Sequence, residues 1–482
     1  MAATIEIPFW LAILIGVLAV IALLDRVLVP SLRWYLRRRL DRAIDRLNAR
    51  LQLRIQPFKI AKRQALIDQL IFDSEVLKAI EEHARTTGVS RAVAQSIAQR
   101  YASEIVPSFS AYAYFGVGAR LARWVSTFLY RVRLGFADFD ALRRTDPDAS
   151  VIFVINHRSN MDYVLVTYMA AQSSALSYAV GEWARVWLLQ NLIRSMGAYF
   201  VRRDSGEPLY RKVLSRYVSL AVAGGLTQAM FPEGGLTRDG KLRPPKFGLL
   251  SYMVSGFDPH GPRDAVFVPV GINYDRVIED RIQTAAMATP EGEKPKFKFS
   301  PAVLFRFLTH NISLLLRRHW YSHGYACVSF GNPISLRDYM SINGIDFRML
   351  EAESRFAEIA RLGAHLMDQV GKVVPVLPVA LVTTVLLEGG ERMSLLDIKA
   401  KAAALVAELQ TRGAHIHVPR ADLDYAIEVG LRMLRLRHLV TEEDGLYGIN
   451  PGEVVLLRYY ANSIAHLRTG APAREPAAIA AS

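Results

Sequence analysis

Between residues 150 and 330 the chain alternates short, mainly apolar runs with stretches of helical texture. The runs are VIFVI from 151, LSYAV from 176, AYFV from 198, QAMF from 228, AVFVPVGI from 265 and YACVSF from 325. Runs of this length suit strands covered on both faces, and the helix-length spacers between them suit parallel connections. The pattern predicts an α/β domain over 136–345 with a mostly parallel sheet flanked by helices. Both flanks read as helical. LRRRLDRAIDRLNARL repeats apolar residues at three- and four-residue spacing, and SEVLKAIEEHARTTG opens on a serine cap and closes on glycine, so 31–135 is a helical N-terminal region. FRMLEAESRFAEIARLGAHLMDQVG through LLRYYANSIAHL gives a helical C-terminal region over 346–468, and the Ala- and Pro-rich residues 469–482 read as a disordered tail.

Three segments are apolar in a different way. PFWLAILIGVLAVIALL, residues 8–24, carries no charge and with its flanks approaches bilayer thickness, which predicts an N-terminal membrane anchor over 1–30. Basic residues Arg26, Arg33, Arg37, Arg38 and Arg39 follow it and none precedes it, so the positive-inside rule puts the rest of the chain on the cytoplasmic side of the cell (inner) membrane. For AYAYFGVGARLARWVSTFLYRVRLG two readings stay open, an interfacial helix and an ordinary core helix. VVPVLPVALVTTVLL, 373–387, is short and lies between Lys372 and Glu388, which favours a buried or membrane-surface helix over a second crossing.

The chain has 482 residues, 51% of them hydrophobic, and a net charge of +14, a balance that favours anionic partners. An anionic phospholipid membrane fits the apolar segment. Nucleic acid rests on charge alone, without a docking motif, and is not expected. Cys327, the single cysteine, reads as a buried strand residue, so neither a disulfide nor a cysteine metal site is expected.

Ligands of α/β sheets bind beyond the carboxyl ends of strands, which directs attention to the residues after each run. After VIFVI come His157, Arg158 and Ser159, with Asp162 five positions beyond the histidine. Across a loop-to-helix start, that spacing lets a carboxylate fix one imidazole nitrogen and leave the other free as a base. AYFV runs into Arg202 and Arg203, a pair suited to gripping phosphate. QAMF leads to Glu233, Gly234 and Gly235, then Arg238, Lys241, Arg243 and Lys246. Pro269 interrupts an apolar strand, a position that shapes a pocket rather than reacts.

These four blocks, HRS-x-x-D at 157–162, GAYFVRR at 197–203, FPEGG at 231–235 and VPV at 268–270, resemble in order the blocks of the glycerolipid acyltransferases. The HRS form is similar to the glycerol-3-phosphate and dihydroxyacetone-phosphate branch, and LLRYYANSIAHL to the C-terminal region of membrane-bound bacterial glycerol-3-phosphate acyltransferases. The likeness covers about 110–468 and implies the acyltransferase fold and direct acyl transfer. His157 would be general base and Asp162 its orienting partner. Arg158, Ser159, Arg202, Arg203, Glu233, Gly234, Gly235, Arg238, Lys246 and Pro269 would form the substrate site. The partners implied are glycerol 3-phosphate and acyl-CoA or acyl carrier protein (acyl-ACP) as co-substrate, with no cofactor. One departure stands in the third block, where the family continues Glu-Gly-[Gly or Thr]-Arg-Ser-Arg and this chain has Leu236, Thr237 and Arg238. Its first arginine is missing, which leaves dihydroxyacetone phosphate, lysophosphatidate or another lipid alcohol open as acceptor. No G-x-S-x-G elbow or His-Glu-x-x-His cluster occurs.

Overall fold

The computed structural model describes residues 63–170, 176–180, 191, 193–202, 206–285, 323–390 and 392–469. The expected anchor, Arg203 and nearly all of the tail lie outside them. Among the described residues no helix is long and apolar enough to cross a membrane.

Three helices come first: α1 (Arg63–Ile71), α2 (Ser74–Thr87) and α3 (Arg91–Ile105). The cap of α2 is Asp73, whose carboxylate accepts from Glu75 N, so Ser74 is the first helical residue and not the cap; Gly88 closes the helix in the left-handed conformation. A π-helical turn, Tyr112–Gly118, leads through α4 (Ala119–Leu129) into β1 (Arg131–Ala137) and α5 (Phe139–Arg144).

The α/β section continues with β2 (Ser150–Ile155), α6 (Met161–Ala170), β3 (Ser177–Val180), β4 (Tyr199–Phe200), α7 (Pro208–Ala223), β5 (Gln228–Met230) and α8 (Gly248–Val254). β6 (Ala265–Tyr274), α9 (Asp280–Ala285), β7 (Tyr325–Phe330), β8 (Ile334–Ser335), α10 (Leu336–Asn343) and α11 (Ala352–Val373) follow. All six apolar runs are strands. Their order is β1-β7-β6-β2-β5-β3-β4, with β8 also on β6. From β6 to β4 every pairing is parallel, while β1 and β7 run parallel to each other and antiparallel to β6.

β2 shows why the sheet is covered on both faces. Val151, Phe153 and Ile155 enter one core, shared with α4, α6 and the C-terminal helices. Ile152 and Val154 enter the other, shared with α1–α3, α7, α8, α10 and α11. The strand's unbroken apolar composition therefore serves two cores by simple alternation. Pro269 is buried in β6 opposite Val154, where the second neighbour changes from β8 at Phe267 to β7 at Val270. At that handover proline's missing N–H interrupts no continuous ladder, and its carbonyl accepts from Gly331 N at 2.8 Å.

The C-terminal section comprises α12 (Pro378–Gly389), β9 (Arg392–Ser394), α13 (Leu395–Thr411), α14 (Leu423–Leu436), β10 (Val440–Glu443), β11 (Leu446–Ile449) and α15 (Val454–Thr469). Residues 373–387 fall mostly in α12, which is buried along nearly its whole length among α13, α14 and α15. Asp275 caps it, accepting from Val379 N at 3.0 Å. A small antiparallel sheet, β10-β11-β9, interrupts the helical texture; its hairpin turns on Asp444 and Gly445, both with positive φ.

Candidate active site

The loop after β2 is stitched to the neighbouring strand before any chemistry begins. Asn156 donates through Nδ2 to Ile272 O at 2.9 Å and accepts at Oδ1 from Ile272 N at 2.7 Å. His157 is then held by its backbone, with N donating to Glu233 Oε1 at 2.9 Å and O accepting from Thr237 N at 3.1 Å. Its ring, 3% exposed, lies against Phe231, 4.4 Å between centroids, and edge-on to Tyr163.

Nδ1 of His157 is 2.9 Å from Asp162 Oδ2. Asp162 opens α6 and is fully buried. The same Oδ2 accepts from Arg158 N at 2.7 Å and Ser159 N at 3.0 Å, while Oδ1 accepts from the Tyr274 hydroxyl at 2.6 Å. Oδ2 already accepts from two backbone N–H groups, so it meets the imidazole as an acceptor and Nδ1 is the nitrogen that carries the proton. Among the described residues nothing hydrogen-bonds Nε2, which leaves it as the basic nitrogen.

The other expected residues divide between this loop and more distant ground. Ser159 donates its hydroxyl to Glu279 Oε2 at 2.7 Å, and Asn160 reaches Glu279 Oε1 through backbone and side chain. Arg158 is 3% exposed and points towards the C-terminal helix: Nη1 donates to Gly240 O at 2.9 Å, the cation lies 5.3 Å from the Tyr459 ring centroid, and Nε and Nη2 are buried without partners. Gly240 has φ +85, and a Cβ there would stand 1.9 Å from Tyr459 O, so both its conformation and its packing require glycine.

Glu233 uses both carboxylate oxygens on backbone, His157 N and Arg243 N, and so ties the loop after β2 to the loop after β5. Gly234, with φ +65, leaves room for the Lys246 side chain. Arg238 and Lys246 are exposed, and Arg243 turns its Nη1 back to Leu236 O at 3.3 Å. Arg202 sits beyond β4, three strands from β2, or about 14 Å by strand spacing. There it makes a two-pronged pair with Glu104 at 2.9 and 2.5 Å and packs over Tyr101 and Tyr210.

Burial pushes Glu233 up to about 7 from its ordinary 4.5, despite the two N–H donors. Between those values the folded protein retains a proton that the unfolded chain has released, so this group's contribution to stability declines as pH rises through that window. The size is roughly 3 kcal/mol. Subtracting the urea-unfolding profile of Glu233→Gln from that of the wild type should show this decline between about pH 4.5 and 7. A flat difference would mean the carboxylate is better solvated than its burial indicates.

Sequence reading passed over several residues that shape the loop: Asn156, Tyr274, Glu279, Gln283 and Tyr459. Gln283 donates to Arg158 O at 3.2 Å and accepts from the Tyr459 hydroxyl at 2.8 Å. Asn462 of the same helix donates to Asp239 O. Asn156 directly precedes the first block, Tyr274 and Glu279 lie in INYDRVIED and Tyr459 in LLRYYANSIAHL, but all five act across more than a hundred residues of sequence.

The chain resembles known proteins in two adjoining regions. The Acyltransferase family model matches residues 138–273, which carry the His157–Asp162 pair. A second model, the glycerol-3-phosphate acyltransferase C-terminal region, matches residues 311–471. Glycerol-3-phosphate acyltransferases of Aeromonas hydrophila and Pseudomonas putida are 26% and 27% identical over 432 and 434 residues, covering 87% and 85% of this chain. That of Alteromonas mediterranea is 28% identical over 429 residues. The chain spans about half the length of these relatives, 52%, 49% and 50% respectively.

Proposed function

We propose that this chain transfers a fatty acyl group from an acyl thioester, acyl-CoA or acyl-ACP, to the sn-1 hydroxyl of glycerol 3-phosphate, giving lysophosphatidate. The observation that carries the reading is His157, held through Nδ1 by a buried Asp162 with Nε2 free. Nε2 takes the hydroxyl proton as the oxygen attacks the thioester carbonyl. Collapse of the tetrahedral intermediate expels the thiolate, which recovers the proton from the imidazolium. No covalent acyl-enzyme is needed, and the hydroxyl of Ser159, two residues after the histidine, is committed to Glu279.

Arg238, Arg243 and Lys246 surround the glycine loop that Glu233 joins to His157, and they are the cations proposed to meet the acceptor phosphate. Arg243 reaches the backbone of residue 236, where the third block lacks its first arginine. The test is to incubate the protein with palmitoyl-CoA and, separately, glycerol 3-phosphate, dihydroxyacetone phosphate and lysophosphatidate, and to identify products by mass. Lysophosphatidate from glycerol 3-phosphate supports the reading. Acylation of another acceptor alone reassigns the substrate, and no product with either palmitoyl-CoA or palmitoyl-ACP overturns it.

The proposal includes an anionic membrane as partner, with a single-pass anchor over 1–30 and the catalytic region on the cytoplasmic side. Residues 110–137 contain arginines at 120, 123, 131 and 133 and no acidic residue. On the π-helical turn and α4, Tyr112, Val117, Leu121 and Trp124 are exposed, Tyr112 by 75% and Trp124 by 60%. An apolar face bordered by arginines suits the headgroup layer. Cys327 is buried, so a polarity-sensitive thiol dye on Leu121→Cys reports this face alone. Its emission should shift to the blue on vesicles containing anionic lipid, while a dye at Leu396→Cys stays unchanged; equal emission at both sites would remove this face from the membrane contact.

A further inference from the structure

Tyr274 is the last residue of β6, 1% exposed, and its hydroxyl donates to Asp162 Oδ1 at 2.6 Å. The strand that carries it is fixed relative to the histidine, because Ile272, two residues earlier, exchanges both hydrogen bonds with Asn156, the neighbour of His157. Its ring packs against Tyr130, whose hydroxyl donates to Arg276 O, so the phenol has little freedom to turn away. Burial and the neighbouring Asp162 charge hold the Tyr274 hydroxyl well above the usual phenol range, which keeps it a donor.

Asp162 would otherwise be anchored through one oxygen only. Arg158 N, Ser159 N and His157 Nδ1 all converge on Oδ2. A carboxylate held at one oxygen can still rock about that point, and its second oxygen, buried without a donor, would carry a full desolvation cost. We infer that Tyr274 is a positioning residue for the acyl transfer, extending the pair into a Tyr274–Asp162–His157 chain in which the phenol fixes the carboxylate so that Oδ2 faces the imidazole. The inference rests on the acyltransferase reading above, since it assigns Tyr274 a part in that reaction.

A merely structural tyrosine would lower stability without distinguishing turnover from substrate binding. A positioning one lowers kcat, leaves both KM values nearly unchanged, and depends on the carboxylate it holds. The experiment is a double-mutant cycle in the full chain, with Tyr274→Phe, Asp162→Ala and the combination assayed using palmitoyl-CoA and glycerol 3-phosphate. Tyr274→Phe alone is expected to reduce kcat by about ten- to a hundredfold. In the Asp162→Ala background, where the hydroxyl has no carboxylate or amide left to hold, the same change should alter kcat less than about threefold.

If Tyr274→Phe does not fold, 3-fluorotyrosine at position 274 preserves shape and bonding while strengthening the donor. A change in kcat that disappears in Asp162→Ala supports the inference. Undiminished kcat in folded Tyr274→Phe, or unchanged kcat with 3-fluorotyrosine, in an otherwise active protein overturns it, as does an equal effect with and without the carboxylate. An inactive wild type fails the acyltransferase reading instead.

Discussion

His157→Ala should reduce acyl transfer by about 10²–10⁴-fold, the range lost when a positioned general base is removed. The fold should survive. The backbone bonds of residue 157, to Glu233 and from Thr237, do not need the side chain. Asp162 retains three of its four donors. What the substitution leaves is an imidazole-shaped space beside Phe231 and Tyr163, so added imidazole should restore part of the rate. The measurement is the initial rate of lysophosphatidate formation with and without imidazole, alongside the melting temperature. Full activity in a folded His157→Ala protein would remove the base from the mechanism.

The second large effect is expected for Asp162→Asn, and the geometry says which form of it. An asparagine here has one acceptor oxygen to offer, and Arg158 N and Ser159 N both demand an acceptor where Oδ2 now lies. The amide oxygen therefore stays on the His157 side, and its NH₂ faces the Tyr274 hydroxyl, which can accept. The imidazole tautomer is preserved and only the negative charge is lost. The expected fall in kcat is roughly 10²–10³-fold, less than the ~10⁴ that follows a tautomer switch in a hydrolase triad. A loss below about threefold would reduce Asp162 to a helix-start residue; a loss at or above 10⁴ would mean that the amide had flipped despite the two backbone donors.

The sequence made the sheet legible because each central strand is buried on both faces and needs unbroken apolar runs. β2 and β6 announce themselves for that reason. β1 did not, because it is an edge strand with arginines at 131 and 133 that merge with the preceding helix pattern. The β10–β11 hairpin was missed although Asp444-Gly445 is a turn signal, since its strands are only four residues each. At the site, the five-residue spacing of His157 and Asp162 located the pair. It carried no information about what holds the pair: Tyr274 and Gln283 come from the far end of β6 and from α9, and Tyr459 from α15. Contacts of such long sequence separation leave no local pattern. The likeness to the family placed Arg202 and Glu233 at the substrate, and nothing in their spacing foretold the Glu104 pair of the one or the two backbone bonds of the other.

The contacts of α15 with the catalytic loops bear on how the protein is made. Arg158 and Gly240 leave the ribosome long before Tyr459, yet Gly240 packs on the Tyr459 backbone, Arg158 stacks on its ring, and Gln283 links its hydroxyl to Arg158 O. Until translation has passed α15, the nascent chain lacks one wall of its own active-site loop. On the acyl-transfer reading proposed above, the onset of activity would follow the folding of α15 rather than that of the residues that carry the chemistry.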